Sequence, residues 1–445
     1  MKRTLTSVAL CSLFLAACGG GGGTNVSISA AASNPGVGSG ASAASKPATS
    51  ASAGGTSTSP SPAASGRPAA AANFDGTLLI GAPLSLTGST ANEGKLTQQG
   101  YDLWVDITNS KGGINVGGKH YKAEIKYYDD QSKQDQSALL TDKLISQDKV
   151  AFMLGPYGTA PVFAASVISE KAKMPMVDVG GAAETIFNRN FKYIFGVLSP
   201  STKYLTGVID AWNSQSPKPA KLAIVAANDA FSLEVAKAAH DYAPGQGLQV
   251  VYDQNYPPDT KDLSSALNQV KASGADVLLG SGHLDDSLVL MKQVKSLGLN
   301  FKGIGLSVGP STPEFHNALG ADSEYVFSGV QWVPEQKDTG PVIGSAQDYT
   351  NAFKQKYNIL PEYHNAEATA GGLALQLAIE KAGSLDKNKV RDALAAMDQE
   401  TFFGRIKFDS RGINENKPMI VIQLQKGGAL IPVFPQAAAT GKILW

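Results

Sequence analysis

Gly305-Leu306-Ser307-Val308-Gly309 is the stretch whose residue types and spacing match a catalytic pattern, the G-x-S-x-G elbow that presents a nucleophilic serine. That chemistry needs a helix beginning at the serine, with an acid and a histidine further along the chain. Asp322 and His364 satisfy the order only as isolated residues, and Pro310 and Pro313 delay the next helix until about Thr312. Ser307 is thereby left on a loop, which disfavours an esterase. His120, His240, His283, His316 and His364 show no metal-ligand spacing, so no metal centre is expected. Gly303-x-Gly305-x-x-x-Gly309 has the wrong spacing for a phosphate loop and lacks its Gly-Lys-Ser/Thr ending. No cofactor is implied. The chain reads as a binding protein, not an enzyme.

The remaining polar and aromatic candidates sit at the ends of expected strands. Ser85, Glu93, Tyr157-Gly158-Thr159 and Gly180-Gly181-Ala182 come from one half of the chain, and Asp229, Phe231, His283 and Ser307 from the other. Each alone is an ordinary turn or rim residue. Together they occupy equivalent positions in two halves, which suits a cleft between two lobes.

The elements that must position them are clearest from Val150 to Gly181. An apolar run, Val150 to Leu154, reads as a buried strand and breaks at Gly155-Pro156. A small-residue loop follows, and Pro161 falls where a first helical turn tolerates proline. Phe163 and Val167, with Ala164 and Ile168, repeat at helical spacing, and Lys171 and Lys173 close the helix at its carbonyl end. Met174 to Val179 is a second strand running into Gly180-Gly181. Such strand ends are where open α/β sheets bind ligands, and Thr159 with the loop's N–H groups suits a carboxylate.

The same alternation extends over the folded chain. Thr77 to Pro83 and Lys122 to Tyr128 read as strands, with a helix between them carrying Leu96, Gly100, Leu103 and Ile107; Tyr101 and Trp104 flank that stripe as core. Strands read again at Lys221 to Ala227, Gln249 to Tyr252, Ala275 to Leu279 and Phe301 to Leu306. From about Glu335 the pattern turns helical, at Tyr349 to Tyr357, Asn365 to Ala382 and Asn388 to Met397, and Met419 to Phe434 reads as two strands joined at Gly427-Gly428. Strand and helix in alternation imply a parallel sheet covered on both faces, built twice. The expected division is residues 76–197 plus 335–404 for lobe I and 198–334 plus 405–445 for lobe II.

Composition bounds the partners. With 445 residues the chain is long enough for full cores, and 38 Lys+Arg against 38 Asp+Glu argue against nucleic acid. Lys2 and Arg3 precede an apolar segment, Val8 to Ala17, too short to span a membrane. Leu15-Ala16-Ala17-Cys18 resembles a bacterial lipobox, which implies a signal peptide over residues 1–17 and lipidation of Cys18. Loss of Cys11 with the signal would leave one cysteine and no disulfide. Residues 18–75 are expected to form a tether: from Gly19 to about Ala72 the sequence is almost wholly Gly, Ala, Ser, Thr and Pro, unable to bury a core and about 40 Å from end to end. The expected location is extracytoplasmic, on a membrane anchor.

Pro83-Leu84-Ser85-Leu86-Thr87-Gly88, Lys111-Gly112-Gly113-Ile114, Tyr128-Asp129-Asp130 and Gly155-Pro156, in this order, resemble the leucine-binding-protein type of periplasmic solute-binding protein over about residues 76–435. The resemblance implies an α/β fold of two Rossmann-like lobes joined by a three-crossing hinge, the type I periplasmic binding protein fold. It further implies a small-molecule ligand trapped on closure and passed to the permease subunits of an ABC importer. In that family the loop matching Tyr157-Gly158-Thr159 holds a carboxylate. The loop matching Gly180-Gly181-Ala182 offers a carbonyl and a threonine hydroxyl to an ammonium, and here Ala182 stands in the threonine's place. Phe231 matches an aromatic residue that closes over the ligand, His283 falls near another, and Tyr363 matches one lining the side-chain pocket. Amino-acid binders of the family commonly carry an acid where this chain has Ser307. Glu93, Asp229 and Asp285 are the acids that could compensate. The ligand expected is a branched-chain or other apolar amino acid, the alternative an aromatic or aliphatic carboxylic acid without an amine; a sensor feeding a signalling partner would use the same cleft. A monomer suits a shuttle.

Overall fold

The computed structural model describes residues 73–445. The signal segment, Cys18 and nearly all of the tether lie outside the described residues. Among the described residues no helix is long and apolar enough to cross a membrane.

Two sheets organise the chain. The first contains β1 (Gly76–Leu84), β2 (Ile114–Val116), β3 (Lys119–Asp129), β4 (Phe152–Leu154), β5 (Met176–Asp178) and β6 (Ile194–Gly196), in the order β2-β3-β1-β4-β5-β6. Only β2 runs antiparallel to its neighbour. Helices α1 (Ala91–Ser110), α2 (Gln134–Ser146) and α3 (Thr159–Lys171) connect these strands. The second sheet holds β7 (Lys221–Ala227), β8 (Gln249–Tyr256), β9 (Val277–Ser281), β10 (Gly303–Leu306) and β11 (Val326–Val330) as parallel strands. Its helices are α4 (Thr206–Asn213), α5 (Ala230–Tyr242), α6 (Ser264–Ser273), α7 (Leu284–Ser296) and α8 (Pro313–Leu319).

The chain then returns to the first sheet. After the short pair β12 (Thr339–Gly340) and β13 (Gly344–Ser345) come α9 (Ala346–Tyr357), α10 (Tyr363–Ala382) and α11 (Lys387–Ala395), with α10 packed on α1. The hairpin β14 (Asp398–Thr401) and β15 (Gly404–Lys407) leads back across. Then β16 (Ile420–Gln425) adds antiparallel to β11, and β17 (Ala429–Phe434) pairs antiparallel with β16 at the sheet's edge. The chain thus passes between the sheets three times, and one hydrogen-bond cluster laces the crossings. Ser199 N–H donates to Gln331 Oε1 at 3.0 Å and Gln331 Nε2 returns a bond to the Ser199 carbonyl at 3.1 Å. Ser199 Oγ donates to the Lys417 carbonyl at 2.9 Å, and Lys417 Nζ donates to the Gln331 carbonyl.

Two features of the fold go beyond the sequence reading. Phe163 and Val167 do not face the core: they are 40 % and 44 % exposed, and α3 buries Val162, Ala165, Ser166 and Ser169 instead. Small side chains let α3 lie close to its neighbours, while the Arg189 guanidinium covers the Phe163 ring from 3.9 Å. Strand β11 went unread because Ser328-Gly329 interrupts its short apolar run. Gly329 is needed there, since a Cβ would stand 2.2 Å from the Tyr204 carbonyl oxygen.

Candidate functional site

The carboxyl ends of both sheets face one cleft. Within it a small void of about 10 Å³ is lined by Tyr157, Gly180 and Ala182 of the first lobe and by Phe231, His283 and Val308 of the second. Leu198 and Tyr204 at the first crossing and Tyr363, His364 and Glu367 of α10 complete the wall. That space holds about one water molecule. Above it lies a mouth of about 190 Å³, whose lining includes Gly158, Thr159, Asp229, Asp285 and Asp286. Tyr157 and His283 line both spaces and separate them, with Tyr157 Oη and His283 Nδ1 3.3 Å apart across the lobes. The lobes therefore stand closed.

Local sequence explains each placement. Gly158, with φ of 92°, turns the chain from β4 into α3, so Thr159 is the first helical residue. The Thr159 hydroxyl is buried and makes no hydrogen bond among the described residues. The Gly158 N–H, expected to be open to an anion, donates to the Gly180 carbonyl at 3.1 Å. In the loop from which the resemblance implies a carbonyl for an ammonium, the Gly180 carbonyl thus accepts from Gly158, and the Ala182 carbonyl accepts the Ser201 N–H at 2.8 Å. Gly180 and Gly181 donate N–H bonds of 3.0 and 2.8 Å to Asp178 Oδ1, which fixes the turn behind the void. A Cβ on Gly180 would stand 2.7 Å from the Tyr157 backbone. Burial pushes the Asp178 carboxyl up to about 7 against the pull of those two bonds.

On the other lobe Asp229 caps α5 through the N–H groups of Phe231 and Ser232, both at 3.0 Å. This cap turns Phe231 toward Tyr204, ring edge to face at 5.2 Å, and toward His283 at 5.5 Å. His283 opens α7, its N–H held by Asp286 Oδ2 at 3.0 Å. Glu93 is buried on α1 and accepts the Leu284 N–H at 3.1 Å, which makes it a contact between lobes.

Tyr157, Gly180, Ala182, Phe231, His283 and Tyr363 thus meet at the inner void, and Gly158, Thr159 and Asp229 at its mouth. Gly181 stands behind the void against Val162 and Ile186. Ser85 and Ser307 stay apart from it. Ser85 Oγ donates to Asp130 Oδ1 at 2.8 Å, because β1 and β3 run in register to Leu84 and Asp129. Ser307 Oγ accepts the Gly282 N–H at 2.9 Å and donates to the Gly282 carbonyl at 2.8 Å. That hydroxyl ties two loops together and has no histidine partner, and the next helix starts only at Pro313, so the nucleophile elbow does not form.

The sequence reading missed Leu198, Tyr204, Val308, His364 and Glu367. Glu367 had a legible signal, since it stands four residues after Tyr363 and so on the same helical face. Glu367 is 1 % exposed and its Oε2 has no partner among the described residues. Burial, then the nearby Glu362 and Asp178 charges, hold its carboxyl well above the usual range, opposed by Lys417. Lys417, buried at the third crossing, is itself pushed down to about 7 by desolvation.

The periplasmic binding protein family model matches residues 77–429, most of the chain. The chain belongs to the periplasmic binding protein family. A Leu/Ile/Val-binding protein homolog 7 of Brucella suis is 27 % identical over 388 residues, 84 % of this chain and 96 % of that one. Among solved structures, the branched-chain amino acid transporter substrate binding protein LivJ of Streptococcus pneumoniae, in complex with isoleucine, superposes with a TM-score of 0.70 at 21 % identity. That match covers 80 % of this chain and 97 % of that one. A solute binding protein of an R. palustris ABC transporter, in complex with benzoate, gives 0.72 at 19 % identity over 82 % and 96 %. This periplasmic binding protein is leucine-binding-protein-like, with the two lobes and three-crossing hinge of the type I fold.

Proposed function

We propose that this chain is the receptor subunit of an ABC importer, held outside the cytoplasmic membrane by a lipid on Cys18, and that it captures a small apolar amino acid between its lobes. The observation that carries this reading is the buried Thr159 hydroxyl on the first turn of α3, without a hydrogen-bond partner among the described residues, where a helix N-terminus favours a carboxylate. Tyr157, Tyr204, Phe231 and Tyr363 give the adjoining void an apolar wall suited to an uncharged side chain. Closure has no chemistry to perform; it follows from the ligand's preference for the closed arrangement. The permease is then met by the closed form.

A second reading, an aromatic carboxylate without an amine, is favoured by the aromatic wall, by Ala182 where a hydroxyl would serve an ammonium, and by the benzoate complex of a neighbour of the same fold. Calorimetric titration of the full chain, unfolded and refolded to strip carried ligand, tests both. Leucine, isoleucine, valine and phenylalanine are compared with their deaminated acids and with benzoate. One site per chain for the amino acids is expected. Failure of every carboxylate to bind would overturn the receptor reading.

A further inference from the structure

An amino acid closed into this cleft brings an ammonium group, and a buried ammonium needs an anionic partner. Most acids near the cleft are already engaged. Asp229 caps α5, and Glu93 holds the Leu284 N–H. Asp178 holds the Gly180-Gly181 turn from behind. Glu362 accepts from the His364 N–H at 2.7 Å, from His364 Nδ1 at 3.0 Å and from Ser311 Oγ at 3.1 Å. Ser307, where the resemblance led to an acid, has its hydroxyl closed on Gly282. Glu367 alone among these lines the inner void with a buried carboxyl oxygen that nothing in the described chain bonds.

We propose that Glu367 on α10 of the first lobe is the residue that selects an amine-bearing ligand, and that binding such a ligand expels one proton from the protein. The inference rests on the cleft being the ligand site and deepens that reading. In the empty cleft the carboxyl keeps its proton. Burial, then the charges of Glu362 before α10 and Asp178 at the end of β5, make its ionisation unfavourable; the phenols of Tyr101, Tyr157, Tyr204 and Tyr363 around it are shifted upward chiefly by burial, stay neutral and supply no compensating positive charge. Lys417 is the opposing cation, and its own charge is weakened by burial. His364 turns Nδ1 to Glu362, and its Nε2 has no partner among the described residues at the same void. An entering ammonium reverses the balance: Glu367–COOH and R–NH3+ become a Glu367 carboxylate paired with R–NH3+, and the proton leaves to the buffer. A deaminated acid brings no such cation, so Glu367 stays neutral.

The test is titration of the full chain at pH 7 in buffers of different ionisation enthalpy, with leucine and 4-methylpentanoate as the matched pair. The parent is expected to release about one proton per leucine bound and none per 4-methylpentanoate. Glu367→Gln should weaken leucine about 100-fold or more, the loss expected when one partner of a buried pair is removed, and leave 4-methylpentanoate within about threefold. This variant removes a buried acid, so it is expected to melt no lower than the parent, and Glu367→Asp should recover part of the leucine affinity. Equal leucine affinity in parent and Glu367→Gln, or leucine binding without proton release, overturns the inference. Binding of 4-methylpentanoate alone overturns it too while leaving the receptor reading standing. Binding of neither overturns it as well, and the receptor reading falls with it when the other amino acids, their deaminated acids and benzoate also fail to bind.

Discussion

At the scale of single residues, the proposed function rests on polar atoms that the fold buries with no partner among the described residues. Thr159 Oγ1 is one, and Thr159→Ala should weaken amino acids and deaminated acids alike by about tenfold, because one hydrogen bond to a carboxylate is lost from both; calorimetry reads this directly. Thr159→Ser should recover it, and a loss confined to one ligand class would remove Thr159 from the carboxylate's contacts. Asp178 makes a different prediction. Its folded value of about 7 lies above the ordinary 3.8, so between those values the native chain holds a proton the unfolded chain has lost. Stability therefore falls as pH rises from about 4 to 7, by about 4 kcal/mol from this group. Asp178→Asn keeps an acceptor for the Gly180 and Gly181 N–H groups and should remove that part of the slope. Urea unfolding at pH 5 and pH 8 measures it, and parallel slopes in parent and variant would refute it. Much of this site was legible at residue scale: the turn at Tyr157-Gly158-Thr159, Gly180-Gly181 and the capping Asp229 announce themselves through small or capping residues at strand ends. Ser307 and Ser85 misled because a hydroxyl at a strand end carries no sign of which way it is used. Glu367 was passed over because a lone acid on a long helix reads as a solvent-facing charge.

At the scale of elements, α1 and α10 form the packing that places Glu367. Almost the whole of α10 is buried, and it meets α1 at backbone distance. Trp104 Nε1 and Thr108 Oγ1 both donate to Gln376 Oε1, at 3.1 and 2.9 Å. Gly100 permits the approach, because a Cβ there would lie 2.1 Å from the Asn365 carbonyl oxygen. Gly100→Ala gains about 1 kcal/mol of helix propensity but forces the two helices apart, against an overpacking cost of about 1–3 kcal/mol and a strained backbone contact. A net loss of about 2 kcal/mol in urea unfolding is expected, with ligand affinity falling as Glu367 shifts. Gly245→Ala, where a Cβ meets nothing within 4 Å, is the neutral control. An unchanged or higher stability for Gly100→Ala would show that α10 can move without penalty. Elements were the most legible level: the strands at Lys221–Ala227 and Ile420–Gln425 and the helices α9 to α11 follow the apolar patterns to within a few residues. Periodicity gives the existence of α3 but not its orientation, since it cannot tell an apolar face that packs from one covered by a guanidinium.

At the scale of the molecule, the lobes are held closed by a few bonds between elements far apart in sequence, which no local pattern could reveal. Glu93 on α1 to Leu284 on α7 is one such bond, Tyr157 to His283 a second, and Glu184 N–H to Glu234 Oε1 at 2.6 Å a third. Opening must break all three, and the void leaves an amino acid no way in while the lobes are shut. Glu93 separates closure from contact, because it bridges the lobes without lining the void. In the open form the Leu284 N–H and the Glu93 carboxylate both meet water. Glu93→Ala therefore removes a stabilising term from the closed form alone, on the order of 1.5–3 kcal/mol for a bond to a charged acceptor. Apparent affinity follows the population of the closed form, so leucine and 4-methylpentanoate should weaken by the same factor, about 10- to 100-fold, chiefly through faster dissociation. Small-angle scattering should show the parent compacting on ligand addition and Glu93→Ala needing correspondingly more ligand for the same change. Glu367→Gln, by contrast, should discriminate between the two ligands. Were Glu93→Ala to weaken leucine alone, Glu93 would be touching the amine, and the charge that selects the ligand would sit on α1, not on α10.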